Sequence, residues 1–193
     1  MEPVVNGWIR IAGVLTFSLQ YQDLECIADS YTISLEIPEE FPRRLPMARE
    51  TAGRIPKSFH TDPNGTLCLG SPTRLQLALG VAPTLPRYVK KCVLPFLYSF
   101  SYFQRHGVLP FGQLDHGSNG IRHDYADLFG VTSEHAAQEM VRLASLRKRH
   151  ANKHMCPCGT LFRVGRCHHG QINRLRSQLG RLWFRAEYQS LVR

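Results

Sequence analysis

The sequence predicts an α+β protein: an antiparallel meander sheet backed by helices, with a helical extension at the C-terminal end. Three observations carry that prediction. Apolar runs with partial or strict alternation, broken by turn residues, fill the first fifty or so positions. A long apolar stretch, Pro83–Arg105, follows with the length of a helix. Three of the six cysteines then crowd, with a histidine, into residues 156–168.

Ile9–Gln20 alternates partially and reads as a first strand. Leu24–Ala28 and Tyr31–Ile37 follow as two strands separated by Asp29-Ser30, and Met47–Ala52 supplies a short fourth. Cys26 falls inside this sheet as a packing residue. The stretch from Pro38 to Pro46 holds three prolines and cannot join a central strand. Gly53–Ser58 links it to Asp62-Pro63-Asn64-Gly65, a strong turn signal, because Pro presets φ and Asn and Gly tolerate positive φ. The turn delivers Cys68 between Leu67 and Leu69, with His60 on its other side. A thiol after a tight turn with an imidazole nearby fits a nucleophile arrangement. The same residues also describe a half-buried Cys on a short strand.

Ser71–Gly80, with Leu75, Leu77 and Leu79 alternating, has no settled type. In the Pro83–Arg105 helix, Pro86 fits the first turn, Pro95 introduces a kink, and Cys92 is a core residue. The Gly-rich stretch 106–120 reads as a loop or boundary. Ile121–Phe129 forms a short helix closed by Gly130. Thr132 or Ser133 caps the next helix, running to about Arg149 with Glu134 and His135 in its first turn. Gln171–Leu191 is the last helix, with Ile172, Leu175, Leu179, Leu182 and Trp183 at helical spacing.

The order of the strand at Tyr31–Ile37, the loop with Phe41 and Pro42, then His60, then Asn64-Gly65-Thr66-Leu67-Cys68-Leu69 and a helix resembles the ubiquitin-conjugating enzymes. The likeness spans roughly Trp8 to Arg105, and Asn64–Leu69 is its most specific part. It implies a ubiquitin-conjugating-like fold over 1–110; beyond it the residues read as a helical connector over 111–150 and a zinc-binding tail over 151–193. It further implies that Cys68 carries a partner's C-terminal glycyl group as a thioester, with a thiol pKa lowered by its surroundings. Asn64, with Gly65 and Thr66, offers backbone N–H groups to the oxyanion. His60 orients the thioester, donates to it, deprotonates an incoming lysine, or is a structural residue. Phe41 and Pro42 form the docking loop. The sequence departs from the eukaryotic pattern in three ways. His60 stands where that pattern has an Asn eight residues before the Cys, the usual Trp after the Cys is missing, and there is almost no room for a first helix. These departures resemble the compact bacterial members of antiphage CBASS-type operons, found beside a cGAS-like cyclic-oligonucleotide synthase. The likeness implies a transferase of antiviral defence. Its partners would be a cGAS-like nucleotidyltransferase or other ubiquitin-like acyl donor, and a target protein amine.

Cys156-Pro157-Cys158-Gly159 followed by Cys167-His168 gives the spacing Cys-x-Cys-x8-Cys-His. Three thiols and an imidazole close a tetrahedral Zn²⁺ site, and four ligands leave no open position, so its role is structural. Bound metal then replaces a hydrophobic core as the source of stability. The pattern resembles the SEC-C zinc motif. His169 is a substitute fourth ligand and His154 a weaker one.

The chain has 193 residues, 43% hydrophobic and 20% charged, with a net charge of +9. Residues 1–141 hold 12 Lys/Arg against 14 Asp/Glu, and residues 142–193 hold 12 against the single Glu187, so the basicity belongs to the tail. Arg163, Arg166, Arg174, Arg176, Arg181 and Arg185 can meet nucleic acid phosphates, dock an acidic protein, or form a solvated face. No apolar run is long enough to span a membrane, and no basic-then-apolar leader opens the chain, so a cytoplasmic location is expected. Three other readings stay open: a non-catalytic scaffold of the same family, a zinc-containing nucleic-acid binder, and a Cys/His hydrolase.

Overall fold

The computed structural model describes residues 2–4, 7–111 and 117–192. It is mixed α+β and divides into two compact units, Met1–Gln113 and Leu114–Arg193.

The first unit is built on a four-stranded antiparallel sheet in sequence order: β1 (Glu2–Val4), β2 (Trp8–Leu19), β3 (Ile27–Pro38) and β4 (Met47–Glu50). β2 and β3 pair along their whole length, from Trp8↔Pro38 to Leu19↔Ile27. The break expected at Asp29-Ser30 is therefore absent. Alternation puts Ile27, Asp29, Tyr31, Ile33 and Leu35 on one face. The four apolar members of that set are buried core residues. Asp29 survives there because it is fully engaged: Arg54 grips both its oxygens at 2.6 and 2.7 Å, and the Ser101 hydroxyl donates at 2.7 Å. The Arg54 guanidinium also lies 4.3 Å from the Tyr31 ring centroid. Cys26, expected inside the sheet, precedes β3 and is exposed.

Helix α1 (Pro72–Leu79) occupies the segment whose type the alternating leucines left open. Ser71 decides it, capping the N-terminus by accepting from the Arg74 N–H, with Pro72 in the first turn. A continuous helical rod follows, made of α2 (Leu85–Tyr88), a π-helical turn over Val89–Val93, and α3 (Leu94–His106). The disturbance expected at Pro95 takes the form of this π turn. Pro95 has no N–H, and its ring crowds the carbonyl four residues back. The backbone widens so that the Leu94 N–H bonds Val89 instead. Cys92 is buried on this rod, as expected. Val93, Leu97, Tyr98 and Phe100 pack into the same core cluster as the buried face of β3.

The Asp29 network sets a pH dependence. Burial works against ionisation of this carboxyl. The hydrogen bonds from Arg54, Ser101 and the Ser30 N–H outweigh that penalty and hold its pKa well below its ordinary 3.8. A depressed folded pKa stabilises above the unfolded value and is lost as pH falls through the folded one. The urea midpoint of this unit is accordingly expected to fall as pH drops below about 4. Asp29→Asn should flatten that dependence and cost about 2 kcal/mol at pH 7.

The second unit is helical: α4 (Gly117–Phe129), α5 (Glu134–Ser145), α6 (Lys148–Ala151) and α7 (His169–Leu191). α4 begins inside the stretch read as a loop, so Gly117–Gly120 is helical; residues 112–116 of that stretch lie outside the described residues. Gly130 closes α4 at φ 68°, and Ser133 caps α5 by accepting from the Ala136 N–H. The helix expected to reach Arg149 stops at Ser145, because Leu146 and Arg147 turn extended before α6. α7 begins two residues earlier than expected and breaks at Gly180 (φ 80°, ψ 163°), a conformation open to glycine alone without strain. Tyr125, Phe129, Met140, Leu143, Ile172 and Phe184 form the buried interior of this unit. Arg176, counted among the tail cations, instead caps α5 through the carbonyls of Ala144 and Leu143 at 3.0 and 2.9 Å. Among the described residues, no helix is long and apolar enough to cross a membrane.

Candidate functional site

Two clusters of chemistry-bearing side chains stand out, one in each unit. In the first unit, the predicted turn forms and builds a short hairpin. The Gly65 N–H donates to Asp62 O at 2.8 Å, the Thr66 N–H to Asn64 Oδ1 at 3.0 Å, and the Asp62 N–H to Thr66 O at 2.8 Å. Thr61 and Leu67 pair, and the Cys68 N–H reaches His60 O at 2.7 Å. That register makes His60 and Cys68 direct cross-strand neighbours.

Apolar anchors hold the hairpin down. Leu67 is 4% exposed, and its N–H bonds Ala48 O on β4 at 2.8 Å. Phe59 is buried in an aromatic cluster, its ring 4.7 Å from that of Phe100 and 5.4 Å from that of Phe103. Burying each of these two side chains contributes about 1.5–3 kcal/mol. His60 sits between the anchors at φ 40°, a left-handed conformation uncommon outside glycine, asparagine, aspartate and histidine. Strained backbone of this kind persists only where its surroundings impose it.

Cys68 is half-buried. Its thiol pKa is raised, not lowered as the sequence reading expected. Burial is the main cause, the nearby Asp62 carboxylate adds to it, and the Gly70 N–H hydrogen bond to the sulfur works in the opposite direction. The expected oxyanion donors are also redirected, since the Gly65 and Thr66 N–H groups are committed to the turn and Asn64 spends its side-chain oxygen there. Gly70 is the donor that sequence reasoning missed; its only signal is a glycine two residues after the cysteine, here at φ 136°.

The Phe41–Pro42 loop is joined to this region. Its peptide bond is cis, Phe41 packs against the core, and Gln76 of α1 donates to Pro42 O at 2.6 Å. The helix that starts four residues after Cys68 thus holds the proline loop.

In the second unit, Cys156, Cys158, Cys167 and His168 converge, with one ligand atom from each lying within 4.8 Å of every other. The Cys156 and Cys158 sulfurs are 3.3 Å apart, those of Cys158 and Cys167 3.5 Å. His168 Nδ1 lies 3.2 Å from Cys156 Sγ and 3.1 Å from Cys167 Sγ. A tetrahedron with metal–sulfur bonds of about 2.3 Å has edges of roughly 3.8 Å, close to these separations. A soft donor set of three thiols and one imidazole in this arrangement could hold a metal ion. The remaining candidates, His169 and His154, stand outside the cluster.

A small hairpin assembles the four ligands. Cys156 N–H bonds Phe162 O at 2.9 Å, Val164 N–H bonds His154 O at 2.9 Å, and Gly159 makes the intervening turn at φ 85°. Val164 and Ala151 are buried beneath it. Gly165 admits close approach, since a Cβ there would meet Asn152 Cβ and O at 3.2 Å each. His168 opens α7, its carbonyl taking the Ile172 N–H at 3.0 Å. Thr160 was missed by the sequence reading: its Oγ1 lies 3.2 Å from Cys158 Sγ and 3.4 Å from Cys167 Sγ. Burial pushes the Cys156 thiol up to about 12. For Cys158 burial also acts upward, but hydrogen bonds from Thr160 and the neighbouring thiols bring it down to about 6.

Compared with protein-family models, curated proteins and solved structures, the chain matches none.

Proposed function

We propose that the protein is a ubiquitin-conjugating-like transferase that carries an acyl group on Cys68 and passes it to an amine. The observation that supports this most is the placement of Cys68, half-buried and accepting a hydrogen bond from Gly70, directly across a pinned hairpin from a strained His60. The Cys68 sulfur attacks the carbonyl of the donor's C-terminal glycyl thioester; a new C–S bond forms, the old one breaks, and the donor thiol leaves with the proton. An amine then attacks the Cys68 thioester, an amide forms, and the Cys68 thiol is regenerated. His60 is the base that accepts the amine proton in this scheme. The loop at Phe41 and Pro42 serves as the docking edge. We assign the donor to a cGAS-like nucleotidyltransferase or another ubiquitin-like protein and the setting to antiphage defence, both on the sequence likeness. The second-unit cluster fits Zn²⁺ in a structural role, with Cys156, Cys158, Cys167 and His168 filling all four positions.

The raised thiol pKa gives the test. The rate of Cys68 alkylation by iodoacetamide should climb through pH 9 and lie below that of a free cysteine at pH 7.5, because the thiolate is the nucleophile. Acyl loading should follow the same profile. Loading that is flat across pH 7–10 would contradict a reaction through Cys68.

A further inference from the structure

The metal-ligand hairpin carries a surface that the conjugation scheme does not use. Leu161 is 91% exposed and Phe162 57%. Together with Asn152, Arg163, Gly165 and Arg166 they line a pocket of 390 Å³. Backbone bonds from Gly165 to Asn152 and from Val164 to His154 tie this hairpin to the segment that follows α6. Arg147 before α6, Lys148 and Arg149 in it and Lys153 after it are exposed, as are Arg163 and Arg166. None of these six cations has an acidic partner among the described residues. The one acid in residues 142–193, Glu187, is half-buried and accepts from the Tyr125 hydroxyl at 2.8 Å, away from these cations.

We propose that this face binds single-stranded nucleic acid, with a base in the pocket and the flanking phosphates on the surrounding cations. Charge complementarity calls for a polyanion, and the pocket lining selects the kind. An exposed aromatic ring offers a stacking platform, the Asn152 amide a donor and acceptor for a base edge, and two guanidinium groups planar contacts to phosphate. An acidic peptide would use the arginines and leave the ring and the amide idle. A duplex would keep its bases away from the pocket.

Fluorescence anisotropy with the full chain and a labelled 20-nucleotide single strand, as RNA and as DNA, tests this, with the matching duplex as comparison. Either single strand should bind in 50 mM salt and weaken as salt rises, and the tighter of the two indicates the natural ligand. Replacing Arg163 and Arg166 by Gln should weaken binding at least about tenfold and reduce the salt slope by roughly 0.7 per arginine. Phe162→Ala should weaken single strands about tenfold while leaving duplex binding unchanged, and Phe162→Trp should restore the loss. Metal content measured on each variant confirms an intact hairpin. The proposal is overturned by no binding in 50 mM salt, by unchanged affinity in these variants, or by poly-glutamate competing as well as the oligonucleotide.

Discussion

With Zn²⁺ bound as proposed at Cys156, Cys158, Cys167 and His168, chelation is expected to melt their hairpin and to lower the thermal midpoint of the helical unit by about 20 °C. Structural zinc in small sites supplies an apparent 10–16 kcal/mol, comparable to or larger than the 5–15 kcal/mol stability of a whole domain. Little else holds the hairpin: Val164 is its buried apolar side chain besides the ligand Cys156, and its backbone bonds to Asn152 and His154 are short-range. The cost spreads because His168 is both a member of the cluster and the residue immediately before the helix that buries Ile172 and Leu175. Only part of the binding energy reaches the rest of the unit. A transmitted loss of a few kcal/mol at about 4–8 °C per kcal/mol for a unit of this size gives the expected shift. Amide exchange at Cys156, Val164 and Cys167 should rise to unprotected rates after chelation. A Cys158→Ser variant should behave as the chelated chain. The sheet unit, reported by Trp8, should keep its midpoint. An unchanged melt of the helical unit in fully chelated protein would remove the metal from the description.

Substitution of Cys68 by Ala is expected to abolish acyl loading, a loss of at least about a thousandfold in transfer, since the hairpin holds no second thiol. Cys68→Ser should instead trap the acyl group as an oxygen ester, which survives thiol reductants that discharge the native thioester. The fold should tolerate both changes, because Cys68 is half-buried and the hairpin is anchored by Phe59 and Leu67 on either side of it. Either variant should therefore unfold within about 1 kcal/mol of the native chain, which separates lost chemistry from lost structure.

Much of this molecule can be read from its residues, and the misreadings have physical causes. The Cys/His cluster was legible because metal-binding chemistry needs particular atoms at close spacing, and the structure brings Cys156, Cys158, Cys167 and His168 together, able to hold a metal ion, while leaving His169 and His154 out. The Asp62–Gly65 turn was legible for the same reason, since few residues accept its backbone angles. Asp29-Ser30 was misread as a break because polarity in a strand normally means a turn. The partners that make Asp29 tolerable, Arg54 and Ser101, lie 25 and 72 positions away. The Ser71–Gly80 segment alternated like a strand, and one capping hydroxyl outweighed the pattern. The direction of the Cys68 pKa could not be read at all, because burial and the charge of Asp62 are properties of the folded hairpin.

Intact mass analysis of the chain mixed with a peptide bearing a C-terminal glycyl thioester is the most direct test of the carrier role. The expected result is a single adduct on Cys68 that a thiol reductant removes and that added lysine discharges as an amide. An adduct that forms on the exposed Cys26 in its place, or no adduct from pH 7 to 10, would contradict it.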